Sequence, residues 1–350
     1  MVNFCSMENF MRAVKSALLA STFLFISTAV ATADVKVVAS IKPVHSLVAS
    51  VMQGVSKPSL LVKGAGSPHT YSLKPSQAKE LQAADIVFWM SHDLEAFLEN
   101  SIESIAKNAK AVSLMDSHGL MKLNFREGGA FDAHDHGHDD HGDDKHDDHG
   151  HDKHDDHGHD KHDDHGHDKH DDHGHDELDP HVWLDPQNAK SLVHEIEEHL
   201  AEIDPSNAAK YEANAKAVMN KLDALTKEIE ADLKPIRKRG YVVFHDAYQY
   251  FEKRFGVSAV GSITVSPEVL PGAERVSELR DKVKSLNASC VFSEPQFEPK
   301  LVKTITENTD AGTGVLDPLG TNIKDGPDLY FTLIRNMAKS LKDCLMNEAV

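Results

Sequence analysis

From residue 35 onward the chain alternates short apolar runs with stretches of helical periodicity. "VKVVAS" at 35–40 reads as a strand and "VHSLVASVMQ" as a helix. "PSLLVK" is a second strand, and "SQAKELQAA" is a helix leading into the strand "DIVFWM" at 85–90. "LEAFLENSIESIAK" has helical spacing before the strand "AVSLMD" at 111–116. Strands in regular alternation with helices predict a parallel sheet flanked by helices.

A different pattern follows from Pro205 to Leu233. Apolar residues fall at Tyr211, Ala215, Val218, Leu222, Leu225, Ile229 and Leu233, three or four apart, which is one helical stripe. Asp204-Pro205-Ser206 opens this helix and Pro235 closes it. At 1.5 Å per residue it is about 40 Å long, the size of a domain. The strand–helix rhythm then resumes with "YVVFHD", "SAVGSITV", "ASCVFSE" and "GTGVLDPL". The expected fold class is α/β, with two parallel-sheet lobes joined by one long helix. The lobes are expected at 34–204 and 235–350, with the linking helix at 205–234.

The first lobe is interrupted by a block with no core-forming pattern. At 145–176 the octapeptide K-H-D-D-H-G-H-D is written four times. The stretch from Asp132 to Asp176 holds 16 His, 18 Asp and 4 Lys, so it carries about −14 of the chain's −19 net charge. The repeat has nothing to bury, so it cannot offset the entropy of ordering a backbone, and disorder is expected when it is empty. Imidazoles among carboxylates suit divalent transition metals. Each ion must order the chain that holds it, so many weak, interchangeable sites are expected. Outside this block the chain is only mildly acidic and its Lys and Arg are scattered. No basic patch suits a nucleic acid.

The N-terminus points to export. Arg12 and Lys15 precede the apolar run "ALLASTFLFISTAVATA", which ends in Ala31-Thr32-Ala33. That is the layout of a signal peptide over 1–33 with an A-x-A cleavage site. The run is short for a membrane anchor and contains several Ser and Thr. Cys5 precedes the run, so it is not placed for lipidation at the cleavage site. Removal of the leader leaves Cys290 and Cys344, an even pair in an oxidising compartment, for which a disulfide is the expected state. It would close a loop of about 55 residues, worth roughly 4 kcal/mol in the chain-entropy picture. Paired thiolate zinc ligands are the competing reading, without a CxxC spacing to support them.

Eight His lie outside the block. His69 in "GAGSPHTYSLKPSQ", His181 in "LDPHVWLDP" and His245 in "YVVFHDAYQYF" sit where a strand gives way to a loop. Ligands collect at the carboxyl ends of strands in parallel α/β sheets. Asp317 in "VLDPLG" ends the last strand in the same manner. Three imidazoles plus a carboxylate or water make a site suited to Zn²⁺. His194 and His199 are expected on helix faces, His118 in a turn, His92 in a loop, and His45 as a cap of the first helix.

The motifs "IKPVHSLVASVM", "GSPHTYSLKPSQAKELQAADIVFW", "DPHVWLDPQNA", "FHDAYQYFEKRFG", "SPEVLPGAERVSELR", "FSEPQF" and "LDPLGTNIKDGPDLYF" resemble, in this order, the zinc-specific substrate-binding proteins of bacterial ABC transporters, the ZnuA family. The resemblance covers essentially the whole mature chain apart from the His-rich block, and such an insertion is itself a habit of that family. It implies two (β/α)4-like lobes joined by a rigid helix, with the metal in the cleft between them. It implies His69, His181 and His245 as metal ligands. A carboxylate replaces the third of these in related manganese binders, so His245 speaks for zinc. Asp317 matches a cleft aspartate that ligates in the manganese proteins. Some relatives carry Glu immediately before the first ligand where this chain has Pro68, which leaves the fourth position open between Asp317 and water. The resemblance also implies the Cys290–Cys344 pairing.

The function implied is capture of Zn²⁺, the transported ligand, in the periplasm for delivery to a zinc ABC permease in the inner membrane. The His-rich block would then be an accessory collector, a periplasmic zinc chaperone a further partner, and the protein a monomer. A manganese or iron carrier of the same kind is the nearest alternative, and a zinc-buffering adhesin a more distant one. A zinc hydrolase would need a general base such as the Glu of H-E-x-x-H, and no such motif occurs. No enzyme activity is expected.

Overall fold

The computed structural model describes residues 34–126, 131, 178–264, 272–286, 288–297 and 299–346. The expected signal peptide and the His-rich block lie outside the described residues. So does the whole "SPEVLP" stretch, 266–271.

Two four-stranded parallel sheets carry the fold. The first has the order β2-β1-β3-β4, from β1 (Val37–Ala39), β2 (Ser59–Leu60), β3 (Ile86–Trp89) and β4 (Lys110–Ser113). Helices α1 (Lys42–Val51), α2 (Pro75–Gln82) and α3 (Ala96–Ile105) alternate with these strands. The second sheet repeats the arrangement as β6-β5-β7-β8, from β5 (Tyr241–His245), β6 (Ala259–Thr264), β7 (Cys290–Ser293) and β8 (Gly312–Val315). Between them lie α4 (Pro186–Ile203) and the long helix α5 (Ala208–Leu233). Helices α6 (Gln249–Phe255), α7 (Ala273–Ser285) and α8 (Pro299–Thr306) serve the second sheet, and α9 (Leu329–Met346) ends the described chain.

Parallel strands covered on both faces need apolar side chains on both, and β1 and β5 are buried at every position. The period of two sorts those side chains between layers. Val37, Ala39, Ile86, Phe88, Tyr241, Val243 and Phe292 point into one continuous core that also takes the stripe of α5 and the inner face of α9. Val38 and Val87 point the other way, onto Leu81 and Leu98. Val242, Phe244 and Val291 likewise pack outward on Leu279 and Val283. The two sheets are thus not separately cored. One apolar body runs from the first sheet through α5 to the second.

The helical stripe read from the sequence is the buried face of α5, residue for residue. A short turn, Pro205–Asn207, leads into the helix, and Asp204 ties its side chains together by accepting hydrogen bonds from Ser206 Oγ at 2.6 Å and Asn207 Nδ2 at 2.7 Å. Cys290 and Cys344 form a disulfide that ties β7 to α9. No helix among the described residues is long and apolar enough to cross a membrane.

Candidate metal centre

Three chain segments deliver an imidazole each to the space between the two sheets. His245 is the last residue of β5, at the carboxyl edge of the second sheet. His69 lies in the short turn Pro68–Thr70 that follows β2. That loop is shaped by a close approach: a Cβ on Gly66 would fall 2.8 Å from the Tyr71 ring. Gln77 donates to both the Leu61 carbonyl and the Tyr71 hydroxyl, which fastens the loop to its own sheet. His181 immediately precedes the turn Val182–Leu184, which leads into α4 capped by Asp185.

One ligand nitrogen from each of His69, His181 and His245 lies within 4.8 Å of the others. The ring centroids stand 5.4 to 5.9 Å apart. Three imidazoles on one point are the donor set of a tetrahedral zinc site with one position to spare. The pocket they line has about 10 Å³ of free volume. That is room for an ion or a water and far too little for an organic solute.

Two buried carboxylates orient the rings. Asp179 Oδ1 accepts from His181 Nδ1 at 2.7 Å and from the His181 backbone N–H at 3.0 Å. Glu294 Oε1 accepts from His245 Nδ1 at 2.6 Å. Each bond puts the ring proton on Nδ1 and turns the Nε2 lone pair toward the pocket, the usual outer support of a metal-binding imidazole. His245 Nε2 is buried and has no hydrogen-bond partner within the protein. Burial by itself would push the His245 pKa down, but Glu294, Asp246 and Asp179 outweigh it and hold the pKa above its ordinary value. Anionic surroundings of this kind favour a cation in the pocket.

Asp317 does not join the three imidazoles. Its Oδ1 accepts from the backbone N–H groups of Leu319 and Gly320 and from Gln296 Nε2, and its Oδ2 from the Thr321 N–H at 2.6 Å. A carboxylate that closes a turn in this way is committed to the backbone. The pocket wall next to it is made by Gln296, Pro318 and Leu319. The remaining His have other settings. His45 is inside α1, its Nε2 3.1 Å from the Pro58 carbonyl, rather than at the cap, because the helix already begins at Lys42 with Pro43 in its first turn. His92 pairs with Glu99, and His194 and His199 pair with glutamates along α4. His118 is exposed.

Asp179, Glu294 and Gln296 were not singled out from the sequence. Asp179 had a local signal, being an acid two residues before a candidate ligand. Glu294 has none along the chain. The parallel register pairs Tyr241 with Cys290 and Val242 with Val291. Carried on, it sets Glu294 level with His245.

Two parallel-sheet lobes spanned by a long helix, with three imidazoles converging between them, define a two-lobed binding protein with a site of ionic size. The family profile described as "Zinc-uptake complex component A periplasmic" matches residues 37–344. A protein of Brucella abortus (strain 2308) named "High-affinity zinc uptake system protein ZnuA" is 59% identical over 337 residues, covering 96% of this chain and 99% of the relative. Among solved structures, "Crystal structure of ZnuA" superposes with a TM-score of 0.67 at 23% identity, over 89% of this chain and 99% of that one. A ZnuA deletion mutant with zinc bound gives a TM-score of 0.66 at 24% identity, over 89% and 98%. The chain belongs to the ZnuA family.

Proposed function

We propose that this protein captures Zn²⁺ in the periplasm and delivers it to an ABC permease of the inner membrane for import. Zinc is the cargo, and His69, His181 and His245 hold it, with water in the fourth position. The convergence of three ligand nitrogens within 4.8 Å carries this reading. Support also comes from the names of the relatives, which describe high-affinity zinc uptake. The lobes extend over 34–204 and 235–350 about the helix at 205–234, and the protein acts as a monomer without enzyme activity. Both nearby carboxylates are engaged on imidazole Nδ1 atoms, so neither is placed to serve a hydrolytic water as general base. The His-rich block, 132–176, gathers zinc weakly and is not the delivery site. A periplasmic zinc chaperone is a further partner.

Competition titration of the purified protein against a zinc chelator tests the assignment. One tight equivalent is expected for the wild type. Alanine at His69, His181 or His245 should each weaken it by orders of magnitude while the weak sites persist. Tight binding unchanged in all three variants would contradict the reading. Manganese should bind far less tightly, since three imidazoles suit zinc better than a cation that prefers oxygen.

A further inference from the structure

Lys42 is the first residue of α1 and its side chain is only 6% exposed. A buried ammonium is costly unless it is fully paired. A cation in the first turn also opposes the helix dipole, and α1 has no acidic residue there to compensate. Something outside the helix must therefore hold it. Its Nζ donates to the carbonyls of Thr321 at 3.0 Å and Ile323 at 2.8 Å and pairs with Asp325 Oδ1 at 3.1 Å. All three ammonium protons are accounted for. Every one of these partners comes from the segment that follows β8, on the other side of the pocket in sequence.

That segment begins in the pocket wall, at Pro318 and Leu319, and the partners of Lys42 continue it away from the pocket. The Thr321 carbonyl is held by Lys42, while its N–H is held by Asp317. Its hydroxyl accepts from Gln296 Nε2 at 2.9 Å. Between Asp317 and Thr321 lie Pro318 and Leu319, which line the space before the three imidazoles together with Gln296. Trp183, two residues from His181, donates to the Pro318 carbonyl at 2.9 Å and holds the wall from its other side. Two further bonds, Ser50 Oγ to the Pro327 carbonyl and the Tyr330 N–H to Ser46 Oγ, lace the end of the segment to α1.

We propose that Lys42 is a latch: it fastens the 317–325 strap across the lobes and so sets the rate at which bound metal leaves, without touching the metal. It is a positioning residue, and the proposal rests on the reading of the pocket as the zinc site. Lys42→Met keeps the length of the side chain and removes its donors. The full mature chain, loaded with one equivalent of Zn²⁺, is mixed with excess chelator and release is followed by stopped flow. Release from Lys42→Met should be at least about ten-fold faster than from wild type. The visible absorption of the Co²⁺-loaded protein should be unchanged, since the ligands are the same. Asp325→Asn, at the exposed end of the latch, should accelerate release about two- to three-fold. Leu98→Ala, in the outer core of the first sheet, should lower the melting temperature and leave release alone.

A folded Lys42→Met variant that releases zinc at the wild-type rate would overturn the latch, as would equal acceleration by Leu98→Ala. If Lys42→Met does not fold, wild-type release from Asp325→Asn overturns it instead. A wild-type protein that retains no zinc overturns the functional reading and the latch with it, an outcome visible before any variant is made.

Discussion

At the scale of single residues the site depends on groups that never meet the cargo. Glu294 and Asp179 fix the rotation and tautomer of two imidazoles, and both are buried. Loss of such an outer partner commonly lowers metal affinity 10–100-fold. Glu294→Ala, which removes the acceptor, should therefore reduce zinc affinity by roughly that factor with the fold retained, read by chelator competition; equal affinity would show that Glu294 has no part in holding the ring. His69 and His245 could be found in the sequence because they lie beyond and at the end of a strand, whereas His181 stood out by its Pro-rich company alone, since no strand leads into it among the described residues. Of their carboxylate partners, Asp179 left a local trace two residues before His181, but Glu294 left none, because hydrogen bonding between neighbouring strands has no footprint along the chain. The aspartate of "VLDPLG" showed the reverse difficulty. A strand-end carboxylate looks the same in sequence whether it faces a metal or closes its own turn.

Glu95 offers a second test at this scale. It is fully buried, and burial raises its pKa to about 7 although Oε2 accepts the N–H groups of Met90 and Ser91. The unfolded carboxyl titrates near 4.3. Between about pH 4.3 and 7 the folded protein thus keeps a proton that the unfolded chain has lost. Glu95 accordingly favours the fold at low pH and loses that contribution as pH rises through about 7. Glu95→Gln can still accept both N–H groups, so its unfolding free energy should fall less steeply from pH 5 to 7 than that of the wild type. Identical slopes in urea titrations would refute the assignment.

Among the elements, α5 decides how the lobes can move. It has no Gly or Pro from Ala208 to Leu233, and its buried stripe belongs to the same core as both sheets. Bending it would break hydrogen bonds and expose apolar surface together, so it is a poor hinge. Small-angle scattering of the protein lacking 132–176 should give nearly equal radii of gyration with and without zinc. A large compaction on binding would contradict this. The helix was legible in the sequence because its period runs unbroken for seven turns. The shared core was not, since an apolar strand residue gives no sign of which layer it joins. Val37 and Val38 are neighbours of the same type, yet they face different clusters.

On the scale of the whole molecule the question is whether the folded centre or the His-rich block performs selective capture. The block has 16 of the chain's 24 His but no apolar residue in its repeat with which to preform a site. The centre has three His, held by two buried carboxylates and a laced wall. X-ray absorption at the zinc edge, on protein lacking 132–176 and loaded with one equivalent, separates the two directly. The truncated protein should retain its tight zinc, with three imidazole nitrogens at about 2.0–2.1 Å and one oxygen. A folded, truncated protein that no longer holds zinc tightly, or a spectrum with fewer than three imidazoles, would contradict it.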